Sequence, residues 1–150
     1  MIAEDDLFMA DMLEEALAAN GYDVCGIART VERAVELAER YKPDLAVLDI
    51  RLADGGLGTD IPARLKSQGH MGVLYASGQV GQMSLTMADG DALIVKPYRS
   101  EDVIRALRIV EQIISSRNAS RYFPKGFSVL KSGVGDDTAA SSLDANLAEQ

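Results

Sequence analysis

Charged side chains close separate apolar runs in this chain: Glu4 and Asp5 follow Met1-Ile2-Ala3, Asp49 follows Leu45-Ala46-Val47-Leu48, and Lys96 follows Ala92-Leu93-Ile94-Val95. An unpaired charge is costly to bury, so charges repeated at strand ends imply one shared polar site at one edge of a sheet. Three carboxylates gathered there repel one another unless a cation neutralises them. Oxygen donors alone favour Mg2+, which keeps water ligands that phosphoryl oxygens can replace. In such a site Asp49 can attack phosphorus as a carboxylate nucleophile, while the metal and the Lys96 ammonium offset charge on the equatorial oxygens. Ser77 can donate a hydroxyl hydrogen bond to the third oxygen. The product would be an acyl phosphate, a labile change of charge rather than a released compound.

Taken singly, each residue has a blander reading. Asp49 alone would be a solvated strand-end carboxylate, Lys96 a salt-bridge partner and Ser77 a turn residue; their joint position at strand ends is what argues for chemistry. Asp6 reads as a helix cap and stays outside the metal shell. His70, in a Gln68-Gly69-His70 turn, is assigned no role.

The elements that must carry these residues follow from apolar spacing. Leu7, Met9, Met12, Leu13, Ala16 and Leu17 predict a helix over 6–20, stopped by Asn20-Gly21. A strand over 22–28 comes next, and then a helix capped by Thr30 and ended by Pro43, with Val31, Ala34, Val35 and Ala38 on one face. Residues 44–48 are almost all apolar, as in a parallel strand buried on both faces, which puts Asp49 at its carboxyl end. The glycine-rich stretch 54–58 is a loop, followed by a helix around 61–67 and a strand over 71–76 closed by Ser77-Gly78. A methionine-rich helix is predicted over 79–88, packing through Met83 and Met87. A strand over 92–95 stops at Lys96-Pro97, and Ser100 caps a last helix whose stripe is Val103, Leu107, Val110 and Ile114. Five successive βα units predict a doubly wound α/β domain with helices on both faces of a parallel sheet.

Beyond Asn118 this pattern fails, and residues 132–150 are rich in Ser, Gly, Ala and Asp. A C-terminal extension over 118–150 is expected, with an aromatic segment over 121–127 that docks on the domain or on a partner, then a disordered tail.

Composition narrows the function classes. With 150 residues, 47% of them hydrophobic, the chain can bury one core, and a formal charge of -8 repels nucleic acid and anionic lipid. The single cysteine, Cys25, lies in an apolar stretch and excludes both an intramolecular disulfide and a multi-cysteine metal site. No basic-then-apolar leader and no run of membrane-spanning length is found, so a cytoplasmic protein with no membrane partner is expected.

Glu4-Asp5 after the first strand, Asp49 after the third, Ser77-Gly78 after the fourth and Lys96-Pro97 after the fifth together resemble the receiver domain of two-component response regulators. The resemblance covers residues 1–117 and implies a flavodoxin-like (βα)5 fold with a five-stranded parallel sheet ordered 2-1-3-4-5. It implies that Asp49 is the phosphoacceptor, that Asp5, Asp49 and the Arg51 carbonyl bind Mg2+, and that Glu4 orients a metal-bound water. It also implies that Ser77 and Lys96 contact the phosphoryl group and that the Lys96-Pro97 peptide is cis. Two departures stand out. Leu93 replaces the aromatic residue that usually acts as a rotamer switch three positions before the lysine. Tyr75-Ala76-Ser77-Gly78 resembles instead the Phe-Ala-Thr-Gly signature of a subgroup that lacks this switch and is associated with HWE-type histidine kinases, although Gln79 stands where that subgroup has Tyr. The loop from Asp49 to Gly58 is also one residue longer than usual and lacks the usual proline.

The expected function is that of a single-domain response regulator, a phosphoacceptor rather than an enzyme with a released product. Its donor would be a histidine kinase or phosphotransfer protein, and its output a contact with another protein. The fourth helix, fifth strand and fifth helix of the predicted pattern form the expected interaction face. A phosphate sink or relay intermediate, and an adaptor that works without phosphorylation, remain open alternatives. A phosphatase using an Asp nucleophile is disfavoured, because Arg51 stands where such enzymes carry a second Asp.

Overall fold

The computed structural model describes residues 1–78, 84–115 and 122–132. Among them, six strands form one sheet in the order β2-β1-β3-β4-β5-β6: β1 (Ile2–Ala3), β2 (Ile27–Ala28), β3 (Leu45–Asp49), β4 (Gly72–Ser77), β5 (Ala92–Val95) and β6 (Phe127–Val129). The first five pair in parallel, and β6 runs antiparallel along β5. The doubly wound α/β class expected from the sequence is therefore present. The expectation of five all-parallel strands is corrected by an added antiparallel edge.

Strand side chains alternate between two cores, because successive residues of a strand point to opposite faces. Leu48, Val73, Tyr75 and Leu93 belong to one, with the buried stripes of α2 (Val31–Tyr41) and α3 (Asp60–Arg64). Val47, Leu74, Ala76 and Ile94 belong to the other, with α1 (Leu7–Ala19) and α4 (Ser100–Ile114). All six β4 residues are buried, which explains why its sequence reads as an apolar run rather than an alternation. Cys25 packs against the first core, as a structural cysteine would.

Helix ends follow the expected chemistry in most places. Asp6 Oδ1 accepts from the Phe8 and Met9 amides at the start of α1, and Thr30 Oγ1 accepts from the Arg33 amide at the start of α2. At α4 the expected cap is corrected: Ser100 is the first helical residue and Arg99 occupies the cap without a side-chain bond, although Glu101 and Asp102 do lie in the first turn. The helix expected around 61–67 divides into α3 and a 3-10 turn, Lys66–Gln68. The strand expected over 22–28 shrinks to β2. Its partner β1 offers only Ile2 and Ala3 for pairing, while Tyr22 and Val24 pack into the second core instead.

Two larger corrections concern the far side of the sheet. The helix predicted over 79–88 falls partly outside the described residues, and its described part, 84–88, is not helical. Asp89 Oδ2 accepts from the Thr86 amide at 2.8 Å and from its hydroxyl at 3.2 Å, and the Asp89 and Gly90 amides both return to the Thr86 carbonyl. These local bonds compete with a helix and win. Met87 is consequently 63% exposed rather than packed. The second correction is β6 itself. Phe127 and Leu130 are buried and Tyr122 is exposed, so the aromatic segment docks on the domain through its last member. The tail expected to be disordered falls, from residue 133 onward, outside the described residues.

Candidate functional site

Every residue singled out for chemistry lies at the carboxyl edge of the parallel strands. Glu4 and Asp5 follow β1, Asp49 ends β3, Ser77 ends β4, and Lys96 follows β5. Parallel register enforces this convergence, because β1, β3, β4 and β5 all point the same way and stop together.

Glu4, Asp5 and Asp49 offer carboxylate oxygens that all lie within 4.8 Å of one another. Lys96 Nζ donates to Glu4 Oε2 at 2.9 Å and to Asp49 Oδ2 at 2.8 Å, so one ammonium ties two of the three acids together. The remaining oxygens are also engaged: the Asp6 amide donates to Glu4 Oε1 at 3.1 Å and the Arg51 amide to Asp49 Oδ1 at 3.2 Å. The Glu4 and Asp49 side chains are only 5% and 13% exposed, which keeps these interactions strong. Burial pushes the Glu4 carboxyl above its ordinary range against the pull of Lys96 and the Asp6 amide, and the neighbouring Asp49 charge adds to the rise. At Lys96 burial would lower the pKa. Its bonds to Asp49 and Glu4 outweigh that effect, so the ammonium is held above the ordinary lysine range and stays charged at neutral pH.

The backbone frames the acids closely. The Gly58 amide donates to the Ile50 carbonyl at 2.8 Å, and a β-carbon at Gly58 would overlap the Asp49 carbonyl oxygen, so only glycine permits this approach. Arg51 and Leu57 form an isolated bridge that folds the loop back beside the site, with the Arg51 side chain at the surface. The Lys96 amide donates to the Ser77 carbonyl at 2.7 Å, which brings the ends of β4 and β5 together, and Ser77 itself is buried. The Lys96-Pro97 peptide is cis, as the resemblance implied.

The sequence profile described as "Response regulator receiver domain" matches residues 1–108. The chain belongs to this family. Among its relatives, the receiver is 33% identical over 112 residues to the transcriptional regulatory protein PdtaR of Mycobacterium tuberculosis, covering 73% of this chain and 54% of that protein. It is 28% identical over 116 residues to the chemotaxis protein CheY of Thermotoga maritima, covering 75% of this chain and 96% of that one. The crystal structure of the anti-anti-sigma factor PhyR from Bartonella quintana superposes with a TM-score of 0.63 at 26% identity, covering 77% of this chain and 47% of that one. The receiver thus spans about half the length of PdtaR and PhyR and almost all of CheY.

Sequence reasoning did not reach three features around the receiver site. One is the Lys96 link to Glu4 as well as Asp49. A second is the clamp of Tyr75, whose hydroxyl donates to the Asp89 carbonyl at 2.7 Å; the Asp89-Gly90-Asp91 turn signature was the clue available for it. The third is the antiparallel cover on β5, for which a three-residue strand after a polar stretch gave almost no periodic signal. Among the described residues, no helix is long and apolar enough to cross a membrane.

Proposed function

We propose that this receiver is a phosphoacceptor switch in which Asp49 takes a phosphoryl group from the phosphohistidine of a histidine kinase or phosphotransfer protein. The observation that carries this reading is the Lys96 ammonium held 2.8 Å from Asp49 within a cluster of three carboxylates. An Asp49 oxygen attacks phosphorus as the bond to the donor nitrogen breaks, and that nitrogen keeps the electron pair. Lys96 then carries its charge to the transferred oxygens, and the Ser77 hydroxyl donates to another of them. Glu4, anchored by the Asp6 amide, holds its place in the site while this happens.

Three hard oxygen donors fit a divalent cation of the Mg2+ class. Asp5, Asp49 and the Arg51 carbonyl would hold it, with Glu4 reaching it through water, and it would supply positive charge to the phosphoryl oxygens. Output by contact with another protein is supported by the net charge of -8, which disfavours nucleic acid, and by the likeness to PhyR, an anti-anti-sigma factor. Intact mass after incubation with acetyl phosphate and Mg2+ tests the chemistry. Wild type should gain the mass of one phosphoryl group, labile to hydroxylamine, and Asp49→Asn should gain none. An equal gain in both proteins would refute the assignment.

A further inference from the structure

The sixth strand lies beyond residue 108, where the family match ends, yet it is built into the sheet and the core. Phe127 and Leu130 are buried, and Phe123 packs edge-on against Phe127 with ring centroids 5.1 Å apart. A five-stranded sheet would leave the outer edge of β5 open to pairing with other chains, and β6 closes it.

The attachments of this segment reach toward the site from two sides. The Val95 amide donates to the Gly126 carbonyl at 3.0 Å, immediately before Lys96. The Leu130 amide donates to the Asp91 carbonyl at 2.9 Å, and the Met87 amide donates to the Lys131 carbonyl at 3.1 Å, so the segment also holds the 86–91 turn. That turn is fixed to β4 by the Tyr75 hydroxyl on the Asp89 carbonyl and by the Val73 amide on Asp91 Oδ2. Leu93, three residues before Lys96, lies in register between Tyr75 of β4 and Ser128 of β6. The ends of both site-bearing strands, at Ser77 and Lys96, are therefore joined through the sheet to residues 122–132.

We infer that residues 122–132 are a regulatory strap, which closes the β5 edge and holds the 86–91 turn while Asp49 is unmodified and detaches from both when Asp49 carries a phosphoryl group. This rests on the phosphoacceptor reading of Asp49. A phosphoryl group places its negative charge beyond Oδ2, and the Lys96 ammonium must follow it. Lys96 is tied through its own amide to Ser77 and, one residue back, to Gly126. The ladder to β4 is interior and in register over four residue pairs, whereas the ladder to β6 is an edge of three, so the outer one yields.

Amide hydrogen exchange on the full chain tests the strap, with Mg2+ alone and with Mg2+ plus beryllofluoride, an acyl-phosphate mimic. The reporters are Met87, Val95 and Leu130, and the reference is the Lys42 amide, which donates to the Ala38 carbonyl at 2.9 Å at the end of α2, over β1 and β2. Bound beryllofluoride, seen by its fluorine resonance, should speed exchange at the three reporters about tenfold or more while Lys42 is unchanged. Coupling is reciprocal, so Gly126→Ala, which strains a backbone at φ 75° and crowds Val95, should tighten beryllofluoride binding by the factor by which it loosens the strap. Leu130→Ala should do the same by emptying its buried seat. A bound fluorine signal with unchanged reporters, or variants with unchanged affinity, overturns the strap and leaves the phosphoacceptor reading standing. Absence of any bound signal in wild type removes both.

Discussion

At the scale of single residues, the site is a balance between acids that repel and one ammonium that links them. Lys96→Met leaves Glu4 and Asp49 without their shared cation and should cost about 2 kcal/mol, a little below the usual loss for a broken buried pair because the lysine side chain is 21% exposed. Urea unfolding with and without Mg2+ checks this, and the metal should recover part of the loss. Glu4 gives a pH signature whose sign follows from its raised pKa. The native state binds its proton more tightly than the unfolded chain does, so this group's contribution is fully present below the ordinary glutamate value of 4.5 and is lost as pH rises through the raised one. Glu4→Gln should therefore gain stability over wild type at neutral pH, and the gain should fade as pH drops below 4.5. A gain that grows toward acid would contradict the assignment. The residue types and the order Glu4-Asp5, Asp49, Ser77, Lys96 were legible in the sequence because several polar groups closing separate apolar runs imply one shared site. Which acids share the ammonium was not legible, since it depends on side-chain paths across three strands.

At the scale of elements, legibility tracked the length of the periodic signal. Helices α1, α2 and α4 each carry at least three turns of apolar spacing and were found close to their true ends, with Thr30 and Asp6 capping as their types suggested. Strand β2 and the 84–88 segment were misread for opposite reasons. Apolar residues at 22 and 24 imitate a strand while packing as a loop. Residues 84–88 have helix-compatible types but are captured by the Thr86 and Asp89 bonds. Tyr75→Phe tests that capture without changing shape. It removes the donor to the Asp89 carbonyl and should cost about 1 kcal/mol while speeding amide exchange at Asp89 and Gly90. Gly58→Ala tests the loop that frames Asp49. With backbone in the way of the new methyl group, it should cost about 3 kcal/mol in thermal or urea unfolding, far more than alanine at an exposed loop glycine.

At the scale of the whole molecule, the family fold accounts for the site, and the sixth strand lies outside the residues that the family match covers. The doubly wound class could be read from five βα units in sequence. The sixth strand could not, because three residues after a polar stretch carry no period and derive their order from β5. Metal binding should be visible globally: a ligand that binds only the native state stabilises it by about 2.7 kcal/mol at a hundredfold excess over its Kd. Mg2+ should therefore raise the Tm of wild type and leave Asp5→Asn nearly unmoved, as read by calorimetry across a Mg2+ series. The central claim is that Asp49 is the atom source of the switch, and its most direct test is to locate the phosphoryl group. After reaction with acetyl phosphate and Mg2+, borohydride reduction converts an aspartyl phosphate to homoserine, and peptide mass spectrometry reads its position. Homoserine at position 49 and nowhere else is the expected result. Homoserine at Asp5 or at another carboxylate, with Asp49 intact, would contradict it.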